Sequence, residues 1–243
     1  KVYRLPRGGR NAKGRPIVNL LPLEKDERIQ AVLPVKEFND DQFIFMATET
    51  GSVKKTKLSA YSRPMKSGIK AIKLRDSDRV VNAEITDGTK EIMLFSNSGK
   101  SIRFKESDAR PMGRVSQGVR GMRIDKDQKI ISLVVLEEGN ILVATENGYG
   151  KQTLKDEFSI QKRGGKGVIA IQTSDRNGNL IGAKQVSTGD EVMFISTSGN
   201  LIRTRTDDIS VIGRNTQGVR LIRLYEDDSL LGMEKVISED DEE

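Results

Sequence analysis

Short apolar runs return along the chain at a regular spacing, each followed by a glycine. The glycines Gly51, Gly99, Gly148 and Gly199 lie 48 to 51 residues apart, and each apolar run before them holds four or five apolar residues and is rich in branched and aromatic ones. A run of this length that ends at a turn-forming residue is typical of a buried strand, and glycine supplies the positive φ that a hairpin turn requires. The pattern therefore predicts one hairpin per unit.

A second glycine in each unit precedes two further runs that are separated by an acidic turn. These glycines are Gly68, Gly118, Gly167 and Gly218. The third strands are predicted at 69–74, 119–124, 168–172 and 219–224, and the fourth strands at 80–85, 130–136, 180–186 and 230–236. Four strands per unit at this period predict an all-β fold, a propeller-like disc of four-stranded blades.

The first 41 residues match only the back of a unit. Gly14 stands where the second glycine belongs, 17–20 is the expected third strand, and 29–35 is the expected fourth strand. We expect one domain over 1–237, with a partial blade at 1–41, repeats at 42–88, 89–138, 139–188 and 189–237, and an acidic C-terminal tail at 238–243. Because the chain lacks an initial Met, we expect it to be part of a longer protein.

Composition favours a polyanionic partner. The chain has 41 Lys and Arg against 35 Asp and Glu, a formal net charge of +6, and five of its acids are the consecutive residues Glu239 to Glu243. A basic body with an acidic tail indicates a polyanion partner and a possible internal competitor for it. The absence of Cys and His removes thiolate metal sites and the commonest general base. No apolar run is long enough to cross a membrane, so we expect a cytoplasmic protein without a membrane partner.

Basic residues recur at fixed places in the unit. One set lies four and six residues after the first glycine, a second lies in the loop before the second glycine, and a third lies in the partial unit. The third repeat departs from the first set, with Gln152 and Leu154 at those places and Lys151 one residue early. A merely solvated surface would not keep this phase, so we predict a basic rim that contacts DNA phosphates. The candidates are Arg7, Arg10, Lys13, Arg15, Lys55, Lys57, Arg63, Lys66, Arg103, Lys105, Arg110, Arg114, Lys151, Lys162, Arg163, Lys166, Arg203, Arg205 and Arg214.

The densest basic element is the loop Gln161, Lys162, Arg163, Gly164, Gly165, Lys166 and Gly167. Glycines beside cations allow backbone N–H groups to approach a phosphate, although a flexible basic loop is the alternative. It is not a nucleotide-binding P-loop, because no Gly-Lys-Ser/Thr follows at the required spacing. Acidic pairs such as Asp76 and Asp78 lack the glycine and distal Glu of a calcium loop and are interpreted as solvated turns.

Several runs of residues closely resemble the C-terminal domains of bacterial DNA gyrase A. They are Lys1 to Pro6, Gly14 to Leu23, Phe104 to Ser107, Asn147 to Lys151, and Val211 to Val219. The equivalent domain of topoisomerase IV is the nearest related family. The resemblance covers essentially the whole chain.

This resemblance implies a β-pinwheel, a disc whose blades exchange strands and whose basic rim wraps duplex DNA with little regard to sequence. It implies a non-catalytic part of a holoenzyme that contains two copies of gyrase A and two copies of gyrase B. The catalytic tyrosine, ATP and Mg²⁺ would act elsewhere in that enzyme, so no cofactor is expected in this chain. In that family the box with the sequence pattern of Gln161 to Gly167 belongs to the first blade, whereas this chain begins inside what would be the second.

Two other classes of function remain open from the residues. One is a protein-interaction propeller, since repeats of about this length also form such scaffolds. The other is a propeller hydrolase, for which the sequence offers no distinctive pair of carboxylates. Only four Tyr and no Trp are present, which favours duplex over single-stranded nucleic acid.

Overall fold

The chain forms small antiparallel sheets linked by short 3₁₀ turns, and the all-β prediction is confirmed. The computed structural model describes residues 5–9, 11–21, 23–24, 27–65, 67–225 and 227–236, and no α-helix occurs in these ranges. The strands are β1 (Phe43–Thr48), β2 (Ser52–Lys57), β3 (Val80–Thr86), β4 (Glu91–Ser96), β5 (Lys100–Lys105), β6 (Val119–Arg120), β7 (Ile130–Leu136), β8 (Asn140–Thr145), β9 (Tyr149–Leu154), β10 (Val168–Ile169), β11 (Leu180–Val186), β12 (Glu191–Ser196), β13 (Leu201–Arg205), β14 (Val219–Arg220) and β15 (Leu230–Val236).

Each repeat begins with the predicted hairpin. The hairpins are β1–β2, β4–β5, β8–β9 and β12–β13, and we number the repeats first to fourth by them. The fourth strand of each repeat, β3, β7, β11 or β15, pairs with the first strand of the same repeat. These fourth strands also pack against one another from repeat to repeat, so they form the inner part of the assembly.

The third strand of each repeat pairs with the sheet of the preceding repeat. β6 of the second repeat pairs with β2, β10 of the third with β5, and β14 of the fourth with β9. The sheet orders are therefore β3-β1-β2-β6, β10-β5-β4-β7 and β11-β8-β9-β14, with a three-stranded sheet β13-β12-β15 last. We call these third strands, β6, β10 and β14, the donated strands. Each donated strand lies at the sheet edge farthest from the packed fourth strands, so its side chains form the outer edge of the assembly.

Several predicted strands are shorter than expected or absent. The donated strands contain two residues each, because only their first residues face the second strand of the neighbouring hairpin. The segment 69–74 forms no strand, since the described residues before Phe43 contain no hairpin that could pair with it. For the same reason 29–35 is not a strand, and the predicted strand at 17–20 is replaced by a 3₁₀ turn at Ile17–Asn19.

The hydrophobic core lies between successive sheets. Along β4, Ile92 and Leu94 pack into one cluster with residues of the first repeat. Met93 and Phe95, on the opposite face, pack into the next cluster with residues of the third repeat. Because successive side chains of a strand point to opposite faces, a strand with a sheet on each side must be apolar throughout. This explains the uninterrupted apolar runs in the sequence.

The second glycine of the unit marks a close crossing of two repeats. Gly118 has φ of 85°, and a Cβ at this position would lie 2.5 Å from the carbonyl oxygen of Val53. Only glycine meets both conditions, because the left-handed region disfavours other residues and no space remains for a side chain. The glycine period is thus the period of strand exchange.

The acidic turns are not simply solvated. Asp78 is buried and accepts hydrogen bonds from the backbone N–H (3.1 Å) and hydroxyl (2.7 Å) of Thr50 in the hairpin turn. Asp228 accepts equivalent bonds from Ser198, with a hydroxyl distance of 2.7 Å. The interpretation of Asp78 as part of a solvated turn is therefore wrong, and the carboxylates of Asp78 and Asp228 close the hairpin turns of their own repeats.

Candidate nucleic-acid interface

The basic position four residues after the first glycine joins neighbouring repeats. Arg103 donates from Nη1 to the carbonyl oxygens of Lys155 (2.9 Å) and Phe158 (3.0 Å) in the next repeat. Its other guanidinium nitrogens pair with Glu91 on the adjacent strand. Its side chain is 10% exposed. The prediction that Arg103 lies on the exposed rim is wrong, because the next repeat packs over it.

Lys55 and Gln152 occupy the same position and make the same kind of contact. The Lys55 ammonium donates to the carbonyl oxygen of Glu106 at 3.2 Å and lies 3.7 Å from its carboxylate, and both side chains are buried. Gln152 donates to the carbonyl oxygens of Thr206 (2.6 Å) and Ile209 (3.1 Å). In each case the acceptor is the 3₁₀ turn of the following repeat, so Lys55 is also not a rim residue.

Lys151 lies three residues after its glycine and is fully buried. Its ammonium donates to the carbonyl oxygens of Gly213 (2.5 Å) and Arg214 (2.6 Å). Lys54 is its equivalent in the first repeat, is also fully buried, and donates to the carbonyl oxygens of Ala71 and Arg114. Burial lowers the pKa of each lysine to about 8. The prediction of Lys151 as an exposed contact is therefore wrong.

Arginines in the loop before the second glycine also make a repeated contact. Arg114, Arg163 and Arg214 each lie four residues before that glycine, and each is half-buried. Their Nη1 atoms donate to the carbonyl oxygens of Lys70 (3.0 Å), Arg120 (2.9 Å) and Ile169 (2.8 Å), respectively. Each acceptor is the residue two positions after the second glycine of the preceding repeat. These arginines therefore hold each loop against its neighbour.

The loop from Gln161 to Gly167 is fixed at several points. The N–H of Gln161 donates to the carbonyl oxygen of Arg103, and the N–H of Arg123 donates to that of Gly165, both at 2.8 Å. Arg163 also donates from Nε to the carbonyl oxygen of Asp108 at 2.8 Å. Lys162 and Lys166 are exposed. The loop therefore has a defined conformation that presents these two lysines.

The position six residues after the first glycine is exposed in every repeat that carries a cation there. These residues are Lys57, Lys105 and Arg205. They are the last residues of β2, β5 and β13. Arg203 is 58% exposed although it sits at the buried position four, and it pairs with Glu191. In the described residues no later repeat covers it.

Other predicted residues are distributed as follows. Arg63 and Arg110 are exposed in the loops before the second glycine, and Arg7, Lys13 and Arg15 are exposed in the partial unit. Arg10 and Lys66 lie outside the described residues, as do the tail residues 238–243.

A further basic series, not predicted from the sequence, lies in the segments that follow the second glycines. These cations lie two and five residues after the second glycine, and all six are exposed: Lys70, Lys73, Arg120, Arg123, Arg220 and Arg223. The signal was present as the same phase-locked repetition. The apolar residues between these cations are those of the predicted third strands. In the third repeat the corresponding residues are Ile169 and Gln172.

Two clefts bring three arginines together at repeat boundaries. The first, of about 460 Å³, is lined by Arg75, Arg120 and Arg123 and lies between the first and second repeats. The second, of about 320 Å³, is lined by Arg176, Arg220 and Arg223 and lies between the third and fourth. Within the described part of the chain, no carboxylate oxygen lies within 4.0 Å of these guanidinium nitrogens.

Tyr149 organises the second cleft. The guanidinium carbons of Arg176 and Arg220 lie 4.8 and 5.5 Å from the centre of its ring, and Arg220 donates to its hydroxyl at 3.0 Å. A guanidinium over an aromatic face is held by the ring quadrupole. Arg220 and Arg176 together hold the pKa of the Tyr149 phenol below its ordinary value. The ring thus keeps two like charges close to each other.

Other kinds of site find no support in the described ranges. No group of three or more metal-ligating side chains is found there. No helix among them is long and apolar enough to cross a membrane.

Strand exchange around packed fourth strands, with cations on the outer edge, defines a β-pinwheel, a variant of the β-propeller. The chain belongs to the family of DNA gyrase C-terminal domains. The family profile, described as DNA gyrase C-terminal domain, beta-propeller, matches residues 1–36, 42–87, 90–137, 139–187 and 190–237.

Curated relatives and solved structures agree with this assignment. The chain is 50% identical to DNA gyrase A of Salmonella typhimurium and 51% identical to that of Escherichia coli K12. Each match covers 100% of this chain and 28% of the relative, so the chain spans less than a third of these proteins.

The structure of a DNA gyrase A C-terminal domain matches with a TM-score of 0.83 at 28% identity, covering 93% of this chain and 76% of that one. The C-terminal domain of a DNA topoisomerase IV matches with a TM-score of 0.88 at 27% identity, covering 94% and 72%.

Proposed function

We propose that this domain binds duplex DNA along its basic outer edge and wraps it, as the non-catalytic C-terminal part of a gyrase A protein. In the holoenzyme, the wrapped segment is presented to the catalytic core, which uses ATP and Mg²⁺ to introduce negative supercoils. The partners are the rest of gyrase A and gyrase B, on the nucleoid in the bacterial cytoplasm. This domain contributes binding energy and DNA geometry, and the chemistry takes place in the other parts.

The observation that carries the proposal is the set of exposed cations that are not used in contacts between neighbouring repeats. Two phase-locked series remain. One is at the ends of β2, β5 and β13 (Lys57, Lys105, Arg205). The other lies two and five residues after the second glycine, in segments that in the second and fourth repeats begin with the donated strands β6 and β14 at the outermost sheet edge. A row of regularly spaced cations matches the regular charge of a DNA backbone. Phosphate contacts carry no base information, which supports binding that is largely independent of sequence.

Wrapping follows from the arrangement of these cations in successive repeats. A duplex that contacts several repeats in turn must follow their arrangement and bend. Bending a short segment by 40–90° costs about 1–6 kcal/mol, which several phosphate contacts offset. We expect the cations on successive repeats to act together, so that the loss of one weakens binding without abolishing it.

The test is the salt dependence of binding to a linear duplex of mixed sequence. The logarithm of the binding constant falls against the logarithm of salt with a slope of about −0.9 per neutralised phosphate. Changing Lys57, Lys105 and Arg205 to Gln should flatten that slope by about 2 to 3 units. A matched control changes three cations near the inner strands, Lys90, Lys184 and Lys235, which line one cleft and pair with carboxylates.

Equal flattening in both variants would contradict the assignment of the outer edge. Salt-insensitive binding of the unaltered domain to duplex DNA would contradict the proposed function and favour a protein-interaction scaffold. Wrapping itself is measured by closing a relaxed nicked plasmid in the presence of the domain. A shift in its linking number supports wrapping, and an unchanged linking number supports binding without it.

A further inference from the structure

The two three-arginine clefts are copies of one arrangement. In each, one arginine is the last residue of a donated strand (Arg120 of β6 or Arg220 of β14), and a second follows three residues later (Arg123 or Arg223). The third, Arg75 or Arg176, comes from the turn before the fourth strand of the preceding repeat. The position next to the first glycine also lines each cleft, as Ser52 in the first and Tyr149 in the second. The clefts are therefore built by strand exchange.

The boundary between these two clefts lacks the arrangement. At the junction of the second and third repeats, Ile169 and Gln172 occupy the positions two and five residues after the second glycine. Ile169 pairs directly with Lys100, which replaces Ser52 and Tyr149. The cations presented at this junction are instead Lys162 and Lys166 of the adjacent loop. Three-arginine clefts thus occur at alternate boundaries.

The charges that line the clefts favour the binding of an anion. Three guanidinium groups that share a concave surface repel one another, and no described carboxylate pairs with them. In the second cleft, the Asp228 carboxylate is already bonded to Ser198 and Thr197. Guanidinium groups bind phosphate oxygens in bidentate geometry, and a concave cationic surface concentrates anions. A ligand enters these clefts from the outer edge of the domain. A duplex that lies along this edge would place a backbone phosphodiester there.

We propose that each cleft holds a backbone phosphate of the bound duplex, so that the DNA is anchored at every second repeat boundary. This inference rests on the proposed function and assigns residues to it. Arg75, Arg120 and Arg123 form the first anchor, and Arg176, Arg220 and Arg223 form the second. Tyr149 is a positioning residue, because it orients Arg176 and Arg220 through its ring and hydroxyl.

Removal of the anchors gives the first test. The variants Arg75→Gln with Arg123→Gln, and Arg176→Gln with Arg223→Gln, each remove two charges from one cleft. Each should reduce the salt slope of duplex binding by about 1, the value of one phosphate contact. The control Lys126→Gln with Lys129→Gln removes two exposed charges that line neither cleft. Its slope should change by less than half as much.

Construction of a third anchor gives the second test. Ile169→Arg with Gln172→Arg places two of the three arginines at the middle junction, beside the exposed Lys162 and Lys166, and should steepen the salt slope by about 1. The control variant is Ile169→Gln with Gln172→Asn, which changes the same two positions without adding charge. Inorganic pyrophosphate, as a small probe, should compete with DNA more strongly at the unaltered domain than at a variant with both clefts removed.

The outcomes separate this inference from the proposed function. If the unaltered domain shows no salt-dependent duplex binding, the proposed function fails. If it binds, and the cleft variants and the lysine control flatten the slope equally, the anchors are wrong while the function stands. A third-anchor variant with an unchanged slope would also overturn the assignment.

Tyr149→Phe keeps the ring and removes the hydroxyl, so it should weaken binding at low salt without changing the thermal stability of the fold.

Discussion

The ammonium of Lys151 donates to the carbonyl oxygen of Arg214 at 2.6 Å, across the boundary between two repeats. Both residues were predicted to contact DNA, and in the structure one fixes the backbone of the other. Lys151 is fully buried, so its charge is used inside the protein. This contact shows that cations can recur at the same position of each repeat for two physical reasons. Some lie on an outer surface that recurs in every repeat, and others bond the neighbouring repeat across a boundary that recurs.

Replacing the buried lysines should destabilise the fold. Lys54→Ile and Lys151→Ile introduce the residue that stands at the same position in the other two repeats, Ile102 and Ile202. Each substitution leaves two carbonyl oxygens without their donor, at a cost of about 1–3 kcal/mol per unsatisfied group. Urea denaturation measures the loss in free energy of unfolding. Lys57→Ile, at an exposed position, is the control and should change it by less than 1 kcal/mol or so.

The same lysines should make stability depend on pH in alkaline solution. Burial lowers the pKa of Lys54 and of Lys151 to about 8, against 10.5 for an ordinary lysine. Between these values the unfolded chain binds more protons than the folded one, so the free energy of unfolding rises with pH. The contribution is complete above about pH 10.5 and is lost as pH falls through about 8, with a maximal slope of about 1.4 kcal/mol per pH unit for each lysine.

The measurement is the difference in free energy of unfolding between the unaltered domain and the double Ile variant at a series of pH values. This difference removes the contributions of all other titrating groups. A difference that is constant from pH 7 to 10.5 would show that both lysines keep ordinary pKa values in the folded state.

Arg103 and Arg203 occupy the same position in two repeats and should behave differently. Arg103 bonds two carbonyl groups of the next repeat, whereas Arg203 has 58% of its side chain exposed. Arg103→Ala should lower the free energy of unfolding by about 2–4 kcal/mol, because it strips buried carbonyl groups of a charged donor. Arg203→Ala should lower it by about 1 kcal/mol or less, as for an exposed ion pair.

This pair of variants also separates architecture from DNA binding. The salt slope of duplex binding should be unchanged by Arg103→Ala under conditions in which the variant is folded. If Arg103→Ala flattens the salt dependence of duplex binding and leaves the free energy of unfolding unchanged, Arg103 contacts DNA.

The sequence contained enough information for the hairpins, the fourth strands and the period, since these depend on local apolar runs and turn glycines. It could not separate the two causes of phase-locked charge, because a cation that bonds the next repeat recurs as regularly as one that contacts a ligand. One signal was available for Lys54 and Lys151: the same position holds Ile in the other repeats, which indicates a buried site. The short donated strands were beyond reach, since their length depends on pairing with another repeat.

Tyr149 should ionise at a lower pH than Tyr61, since burial raises the pKa of the Tyr61 phenol whereas two arginines lower that of Tyr149. Arg220 donates to its hydroxyl and Arg176 lies over its ring, and both stabilise the phenolate. Because the chain has no Trp, the ultraviolet absorbance of tyrosinate reports these groups directly. Tyr149→Phe should remove the earliest part of the titration, and Arg220→Gln should move it to higher pH. If the titration of the Phe variant only loses amplitude uniformly, the two arginines do not act on this phenol.

Glycines at matched positions test the strand exchange itself. Gly118 and Gly68 are equivalent and have φ of 85° and 77°, so alanine is strained at both. A Cβ at Gly118 would lie 2.5 Å from the carbonyl oxygen of Val53, whereas nothing lies within 4 Å of one at Gly68. Gly68→Ala should therefore cost only the left-handed strain, about 1 kcal/mol, and Gly118→Ala should cost about 2–4 kcal/mol.

The excess in Gly118→Ala measures the crossing of one repeat over the sheet of its neighbour. It should appear as a lower urea midpoint, together with faster hydrogen exchange of the Val119 and Val53 amides, which lie where β6 joins β2. Gly68→Ala should leave those amides protected, since the donated strand of the second repeat is untouched. Equal destabilisation by both substitutions would mean that backbone strain alone explains the glycine period, and that the close crossing contributes nothing to it.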